Sequence, residues 1–472
     1  MDIIKIHKRV DESSLGVLNL SEAPFDVKRF FYITSGSKTN CVRGKHAHYK
    51  CRQILICLSG LVEVSYENAD GKNFVNLNPG ENFLHENLEW VVLNLKEKNT
   101  VLLSLCSEEH QEEDYIHDYN VFKKEIDKIV AEKNEEKNLK VLITGCAGLF
   151  GANFSRHLLK KGYDVVGIDN LSGGYHASVP EDVKFYQTDL EDRKLTEEIF
   201  ARERPDFVYH FAAYASEGLS RFVRNYNYTS NVLCSANVIN ACINNSVKKL
   251  VFTSSMAVYG FGEPPFKEDQ TPKPDDPYGV AKYAVEMDLA IANKMFGLNY
   301  SIVRPHNVVG LYQNIWDRYR NVIGIWIRQV LNNEPITVFG DGSQIRAFSD
   351  INFCMEPLEK LIKDEKTNGQ IYNIGSDEYC TIDEAADLLI EILKSRGHEP
   401  KKVYMAKREE VHVAYCDHNK AKKHLNFVDE TSLRNVIEKM ADWADEQPER
   451  PVKDLEYEIE KKIYDYWATK TK

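Results

Sequence analysis

The sequence predicts two folding units of different class: an all-β unit first, then a doubly wound α/β unit built on a parallel sheet. Three observations carry this. Up to about residue 121, short apolar runs alternate with turn signals. From Leu139 onward, strand-like apolar runs alternate with helical stretches. Between them lies a charged stretch, Phe122 to Lys140, whose second half is nearly all polar.

In the first unit the strand candidates include residues 30–34, 53–57 and 61–66, with turns at Asp70-Gly71 and Pro79-Gly80. Strands this short at this spacing suggest a β-sandwich or barrel. Residues 123–138 read as a short helix running into a linker, with the boundary near residue 136. The second unit offers strands at 141–144, 165–168, 183–186, 207–210, 250–253 and 300–303, most of them separated by helical stretches. The expected domains are therefore 1–122 and 139–455, with a small lobe of the latter expected at about 310–345 and 375–450. Residues 456–472 are expected to form a C-terminal helix or tail.

Composition narrows the function. The chain has 472 residues, a formal net charge of -12 and no basic tract, which makes nucleic acid or an anionic membrane a poor partner. The ten cysteines are scattered without a CxxC pair, several inside apolar runs, as reduced cysteines of a cytoplasmic protein are. No apolar run reaches the length of a membrane helix, and residues 1–10 contain no signal-type apolar core.

The segment Gly145-Cys146-Ala147-Gly148-Leu149-Phe150-Gly151 directly follows the first predicted strand of the second unit and precedes a helix expected over 153–161. Glycines here allow a tight turn and close approach of backbone to a pyrophosphate, which then sits on the helix N-terminus. Gly145, Gly148, Leu149, Phe150 and Gly151 are thus candidate cofactor contacts in a Rossmann-type fold. Asp169-Asn170 end the second strand, where a carboxylate accepts hydrogen bonds from ribose hydroxyls and repels a 2′-phosphate, favouring NAD over NADP. Asp189-Leu190 either reach the adenine or begin a helix with Asp189 as its cap; both readings stay open.

Tyr278 and Lys282, four residues apart on one helix, share a face. A free tyrosine titrates near pH 10. A neighbouring ammonium stabilises tyrosinate, so the pair can take a proton from a hydroxyl as hydride departs. Ser255, at the end of a strand, is placed to hydrogen-bond the same hydroxyl. With GCAGLFG at 145, DN at 169, HFAAYAS at 210, TSSMAVYG at 253, YGVAK at 278, RPHNVVG at 304, FGDGSQIRAF at 339 and YNIGS at 372, residues 139 to about 450 resemble the extended short-chain dehydrogenase/reductases, in particular the UDP-glucose 4-epimerase relatives. The resemblance implies that Ser255, Tyr278 and Lys282 are catalytic, and that Ala212, Tyr278 and Lys282 join the cofactor contacts. Asn307, Arg346 and Arg408 would face a sugar diphosphate. Sugar-nucleotide 4,6-dehydratases of this group carry an Asp-Glu pair where this chain has Met256-Ala257. That favours 4-epimerisation over elimination; an NADH-consuming 4-keto reductase also fits the triad. Two segments, Tyr214–Arg224 and Gln313–Asn321, depart from the plain UDP-glucose enzyme.

In the first unit, Arg43-Gly44-Lys45-His46-Ala47-His48 is followed by Gln53 and Gly60. The spacing resembles the first cupin motif with glutamine in place of the usual glutamate, and no metal is expected. Together with ICLSG at 56, Trp90 and DYIHDY at 114, residues 3–122 resemble the cupin-type (jelly-roll) dTDP-4-keto-6-deoxyglucose 3,4-ketoisomerases. The resemblance implies that His46 and His48 are an acid/base pair, imidazole being suited to proton transfer near neutrality, and that Tyr32 and Arg43 line a sugar-diphosphate site. His117 stands where that family usually has arginine, which leaves a non-catalytic binding module as the alternative. The expected whole is a cytoplasmic, bifunctional NAD enzyme acting on a UDP- or dTDP-hexose. A homodimer is expected, with helices near 228–243 and 278–295 as its interface.

Overall fold

The computed structural model describes residues 6–8, 16–18, 23–136, 139–452 and 455–468. The chain divides into two compact units, 1–136 and 137–472.

In the first unit, strands β1 (Ile6–Lys8) and β2 (Gly16–Leu18) pair with each other. The remaining strands are β3 (Arg29–Thr34), β4 (Cys41–His48), β5 (Gln53–Ser59), β6 (Val62–Asn68), β7 (Gly71–Leu77), β8 (Asn82–His85), β9 (Trp90–Leu95), β10 (Val101–Cys106) and β11 (Tyr115–Ile116). They form a four-stranded sheet, β3-β10-β5-β8, and a five-stranded one, β11-β4-β9-β6-β7, antiparallel throughout. This is the expected all-β, cupin-like fold. Leu55 and Cys57 from one sheet join Val64, Leu93 and Leu95 from the other in a shared apolar core. Inward and outward residues alternate along β3, as period-2 geometry requires. The helix that follows is longer than the sequence reading, spanning Tyr119–Glu136. Its lysines and glutamates are good helix formers, and Phe122 and Ile126 anchor it against Ala47 and Ile116. The second half expected as linker is thus helical as far as Glu136.

The second unit holds a seven-stranded sheet, all parallel. Its strands are β12 (Lys140–Thr144), β13 (Asp164–Asp169), β14 (Lys184–Gln187), β15 (Phe207–His210), β16 (Lys249–Thr253), β17 (Tyr300–Pro305) and a strand at Gln370–Ile374. The order is β14-β13-β12-β15-β16-β17 and then Gln370–Ile374. Strand order reverses between β12 and β15, and ligands bind at the carboxyl ends beside such a reversal. Apolar clusters pack on the sheet, one including Phe154, Leu158, Met355 and Leu358, another Phe200, Val238, Val285 and Leu289. A third cluster, with Trp316, Trp326, Val338, Leu389 and Met440, belongs to the small lobe. No helix among the described residues is long and apolar enough to cross a membrane. All ten cysteines are free, nine of them buried.

Candidate active sites

In the second unit the glycine turn is stiffened by contact. The helix after β12 starts earlier than expected, at Leu149, and runs to Lys161. Its cap, Gly148, has no side chain to satisfy the first-turn N–H groups. Those donors lie at a cavity of ≈ 520 Å³ lined by Gly145, Gly148, Leu149, Phe150, Asp169, Asn170, Asp189, Leu190 and Ala212. Gly145 takes φ 72°, and a Cβ there would come within 2.6 Å of the Ala212 nitrogen. Gly151 corrects the sequence reading: it does not face the cavity. A Cβ on Gly151 would sit 2.2 Å from the Gly145 carbonyl oxygen, so this glycine serves helix-to-turn packing.

Asp169 closes β13 with both carboxylate oxygens engaged, accepting from Ala147 N at 3.0 Å and Leu171 N at 2.7 Å. Burial pushes its carboxyl up, against those two hydrogen bonds. Asn170 donates to Asp189 at 2.7 Å. The cap reading of Asp189 is settled otherwise: the following helix begins at Arg193 and is capped by Asp192, which accepts from Leu195 N at 3.0 Å. The uncapped helix end beside a carboxylate at the strand reversal fits a dinucleotide with free ribose hydroxyls.

Ser255, Tyr278 and Lys282 line the same cavity. The helix Pro277–Phe296 is capped by Asp276, which accepts from Gly279 N at 2.9 Å. This fixes Tyr278 in the first turn, at the cavity that Ser255 also lines. Ser255 also accepts from Ala257 N at 3.1 Å. Lys282 donates to the Thr253 carbonyl at 2.7 Å, and its ammonium lies 5.8 Å from the Tyr278 ring centroid. Burial lowers Lys282 to about 7. Burial also raises Tyr278 above its ordinary value, against the lowering influence of nearby Ser255. Met256 and Ala257 are buried beside them and offer no proton-carrying group.

Four features escaped the sequence reading. Glu286, four residues beyond Lys282, holds buried Arg304 through two contacts of 2.9 and 2.5 Å and accepts from Ser254 at 2.5 Å. Its i+4 spacing from Lys282 was the available signal. His210, from the HFAAYAS segment, is a packing residue: it bridges Thr144 at 2.7 Å and Ser235 at 2.9 Å, and burial lowers it to about 3. The two atypical segments meet at the cavity, where Ser216 donates to the Tyr319 carbonyl at 3.1 Å and Arg320 covers the Tyr214 ring at 4.8 Å. Finally, Tyr464, Tyr466 and Trp467 supply part of the cavity wall. Trp467 is buried, and Arg318 donates to the Tyr466 carbonyl at 3.0 Å.

Asn307, Arg346 and Arg408 all line the cavity. Asn307 donates to the Ala347 carbonyl at 3.2 Å. Arg346 is tethered by Glu410 at 3.1 Å and the Val411 carbonyl at 2.7 Å, and Arg408 stacks on Phe339 at 3.7 Å.

In the first unit His46 and His48 stand edge-on at 5.0 Å between ring centroids, with Tyr115 4.2 Å from His48. His48 Nδ1 meets Asp114 Oδ2 at 3.1 Å. A carboxylate only accepts, so Nδ1 carries the proton. The amide of Gln53 donates to Nε2 at 3.0 Å, so Gln53 is a donor and that lone pair is occupied. Burial pushes His48 to about 3; it is a neutral ring, not one titrating near pH 7 as expected. His46 is less buried and only lowered. No hydrogen bond or ring contact among the described residues links Tyr32 or Arg43 to this cluster. Tyr32 is 69% exposed because it occupies an outward position of β3, while Arg29 takes an inward one and donates to Tyr115 at 3.4 Å.

A dinucleotide-binding parallel sheet with Ser, Tyr and Lys at one cavity defines a nicotinamide-dependent enzyme acting on a hydroxyl. Residues 141–375 match the NAD dependent epimerase/dehydratase family, and residues 1–127 match the WxcM-like, C-terminal family. The chain is 30% identical over 321 residues to a UDP-glucuronate 4-epimerase of Thermodesulfobacterium geofontis, covering 65% of this chain and 97% of that protein. It is similar to the UDP-glucose 4-epimerase of Thermotoga maritima solved with UDP-glucose (TM-score 0.61, 30% identity, 65% of this chain and 99% of that one). The Thermus thermophilus UDP-glucose 4-epimerase complex with NAD matches equally in TM-score, 0.61, at 28% identity, over 65% of this chain and 99% of that one. The chain belongs to the NAD dependent epimerase/dehydratase family, with a WxcM-like domain ahead of it, and its cofactor is NAD.

Proposed function

We propose that residues 139–455 catalyse reversible 4-epimerisation of a UDP-hexose, and that residues 1–122 isomerise a 4-keto-6-deoxyhexose nucleotide between its 3- and 4-keto forms. One observation carries the first part: Ser255, Tyr278 and Lys282 converge on a cavity whose neighbouring positions, Met256 and Ala257, cannot move a proton. Relatives that work on UDP-glucose and UDP-glucuronate support a UDP-sugar substrate.

In this reading Gly145, Gly148, Leu149 and Phe150 hold the cofactor's pyrophosphate, Asp169 and Asn170 its ribose, and Asp189, Leu190 and Ala212 its adenosine end and flank. NAD held there would supply reversible hydride transfer at C4. Tyr278 accepts the C4 hydroxyl proton; Ser255 orients that hydroxyl; Lys282 stabilises the tyrosinate against the burial that disfavours it. Asn307, Arg346 and Arg408 grip the diphosphate, for which the guanidinium fork is suited. In the first unit His46 moves the proton while Asp114 and Gln53 keep His48 neutral and oriented.

The test is product analysis by proton NMR with full-length protein, UDP-glucose, UDP-glucuronate and UDP-N-acetylglucosamine. Inversion at C4 that disappears in Tyr278→Phe is expected. No inversion with any of the three overturns the first part. Failure of the wild-type protein to move deuterium into C3 of dTDP-4-keto-6-deoxyglucose overturns the second.

A further inference from the structure

Seven acidic residues line the cavity of the second unit, and six have partners. Asp169 accepts two backbone N–H groups. Asp189 accepts from Asn170, and Asp276 caps the catalytic helix. Asp275 and Glu409 pair with Arg221 at 3.3 and 3.4 Å, and Glu410 pairs with Arg346 at 3.1 Å. The Glu217 carboxylate makes no hydrogen bond or ion pair among the described residues, and this exposed side chain lines the cavity.

Its position is built. Glu217 starts the short helix Glu217–Ser220. Ser220 donates its hydroxyl to the Glu217 carbonyl at 2.7 Å and accepts from the backbone N–H of Tyr278 at 3.2 Å. Two hydrogen bonds therefore tie the backbone of Glu217 to that of the catalytic tyrosine. Behind it, Gly218 packs on Trp467, where a Cβ would stand 3.1 Å from the indole. The charged and titratable groups facing Glu217 are Asp275, Asp276, Arg346, Glu410, Tyr278 and Arg408. The surrounding cavity walls, aided by Asp276, raise its carboxyl to about 7 although the side chain itself is exposed to the cavity, and Arg346 acts in the opposite direction. A carboxyl poised at neutrality beside a proton-transferring group is the usual equipment of an acid/base.

We propose that Glu217 is a second proton-transfer group of this site, acting on a carbon next to C4 while the sugar is held as its 4-ketone. The proposal rests on the C4 oxidation proposed above. With C4 oxidised, its hydride is on NAD and its hydroxyl proton on Tyr278, and the protons at C3 and C5 are acidified by the carbonyl. The Glu217 carboxylate removes one as H⁺; the C–H electron pair becomes the C=C bond of an enolate, and the carbonyl pair moves to oxygen. The carboxylic acid exchanges with solvent and returns a proton to the same carbon. The hydride then goes back to C4, so the cycle is redox-neutral. A plain 4-epimerase has no need of this group. The carbon acid step gives access to inversion at C3 or C5 in addition to C4.

The experiment uses the full-length chain carrying His46→Ala, so that the first unit contributes no exchange, with UDP-glucose, UDP-glucuronate and UDP-N-acetylglucosamine in deuterated water. Proton NMR reads inversion at C4 and deuterium at C3 or C5; absorbance at 340 nm reads bound NADH. Deuterium at one of the flanking carbons is expected, with the ratio of deuterium uptake to C4 inversion falling at least tenfold in Glu217→Gln and partly restored in Glu217→Asp. The Asp variant keeps the test decisive should the Gln variant fold poorly, since a shorter carboxylate still predicts residual exchange. Inversion at C4 without deuterium uptake overturns the proposal and leaves the epimerase reading standing, as does uptake indifferent to both substitutions. Absence of both C4 inversion and NADH with every sugar overturns the two together.

Discussion

Single residues set the chemistry of both units, and their contacts make sharp predictions. Gly148 and Gly151 look interchangeable in sequence but differ in space: a Cβ meets its nearest neighbour, the Gly145 oxygen, at 3.4 Å in the first case and at 2.2 Å in the second. Gly151→Ala is expected to lose bound NAD and several degrees of thermal stability, and Gly148→Ala to keep its fold; absorbance of extracted cofactor and a thermal melt decide. Tyr278→Phe is expected to cut turnover by about 10²–10⁴-fold with sugar-nucleotide binding retained, measurable by calorimetry beside the NMR assay. The Ser, Tyr and Lys positions were legible because YxxxK on a helix has a chemical reason. Glu217 was not: no local pattern distinguishes it from Asp275 or Glu410, and only the fold shows which acids are already paired.

Elements explain how these residues are held. The helix Pro277–Phe296 carries Tyr278, Lys282 and Glu286 on one side, and Glu286 anchors it to β17 through Arg304. Removing one partner of a buried pair leaves an uncompensated charge, costing about 3–5 kcal/mol. Glu286→Ala should therefore destabilise the second unit by that order in a denaturant melt and lower turnover through Lys282. The parallel strands were readable from their apolar runs. The strand Gln370–Ile374 is harder to read because polar Gln370 and Asn373 interrupt its apolar residues, so no continuous apolar run marks it. Residues 456–472 read as a C-terminal helix or tail; a short helix, Asp465–Ala468, forms there, and long-range contacts of Trp467 with Leu219 and Phe222, which no local pattern announces, hold it. Trp467→Ala is expected to weaken sugar-nucleotide binding more than NAD retention, and an equal loss of both would count against that wall serving the sugar end.

At the scale of the molecule, acid response belongs to buried carboxylates far from the cavity. Burial raises Glu203 and Glu359, but their donors outweigh it: Lys184, Tyr186 and Lys140 for the first, His157 and Lys363 for the second. Both end at about 2, below an unfolded value near 4.5. Their stabilisation is thus complete above about pH 4.5 and lost as pH falls toward 2, because the unfolded chain takes up protons first. Glu203→Gln should be less stable than the parent at pH 7, with the gap closing between pH 4.5 and 2 in denaturant titrations; a constant gap would contradict this. The two-unit plan was readable from the change of pattern near residue 136. The exact end of the first unit's helix was not, since a polar stretch of lysine and glutamate suits helix and linker alike.

One consequence follows from the cavity drawing its walls from Gly145 through to Trp467. During synthesis the dinucleotide end, made of segments up to Ala212, is in hand early, while the sugar end waits for residues made more than two hundred positions later. A domain folds as a unit, so the wall supplied by Tyr464, Tyr466 and Trp467 is in place only when the whole second unit has folded. That distant segment is one side of the chamber, and losing it would open the cavity to water.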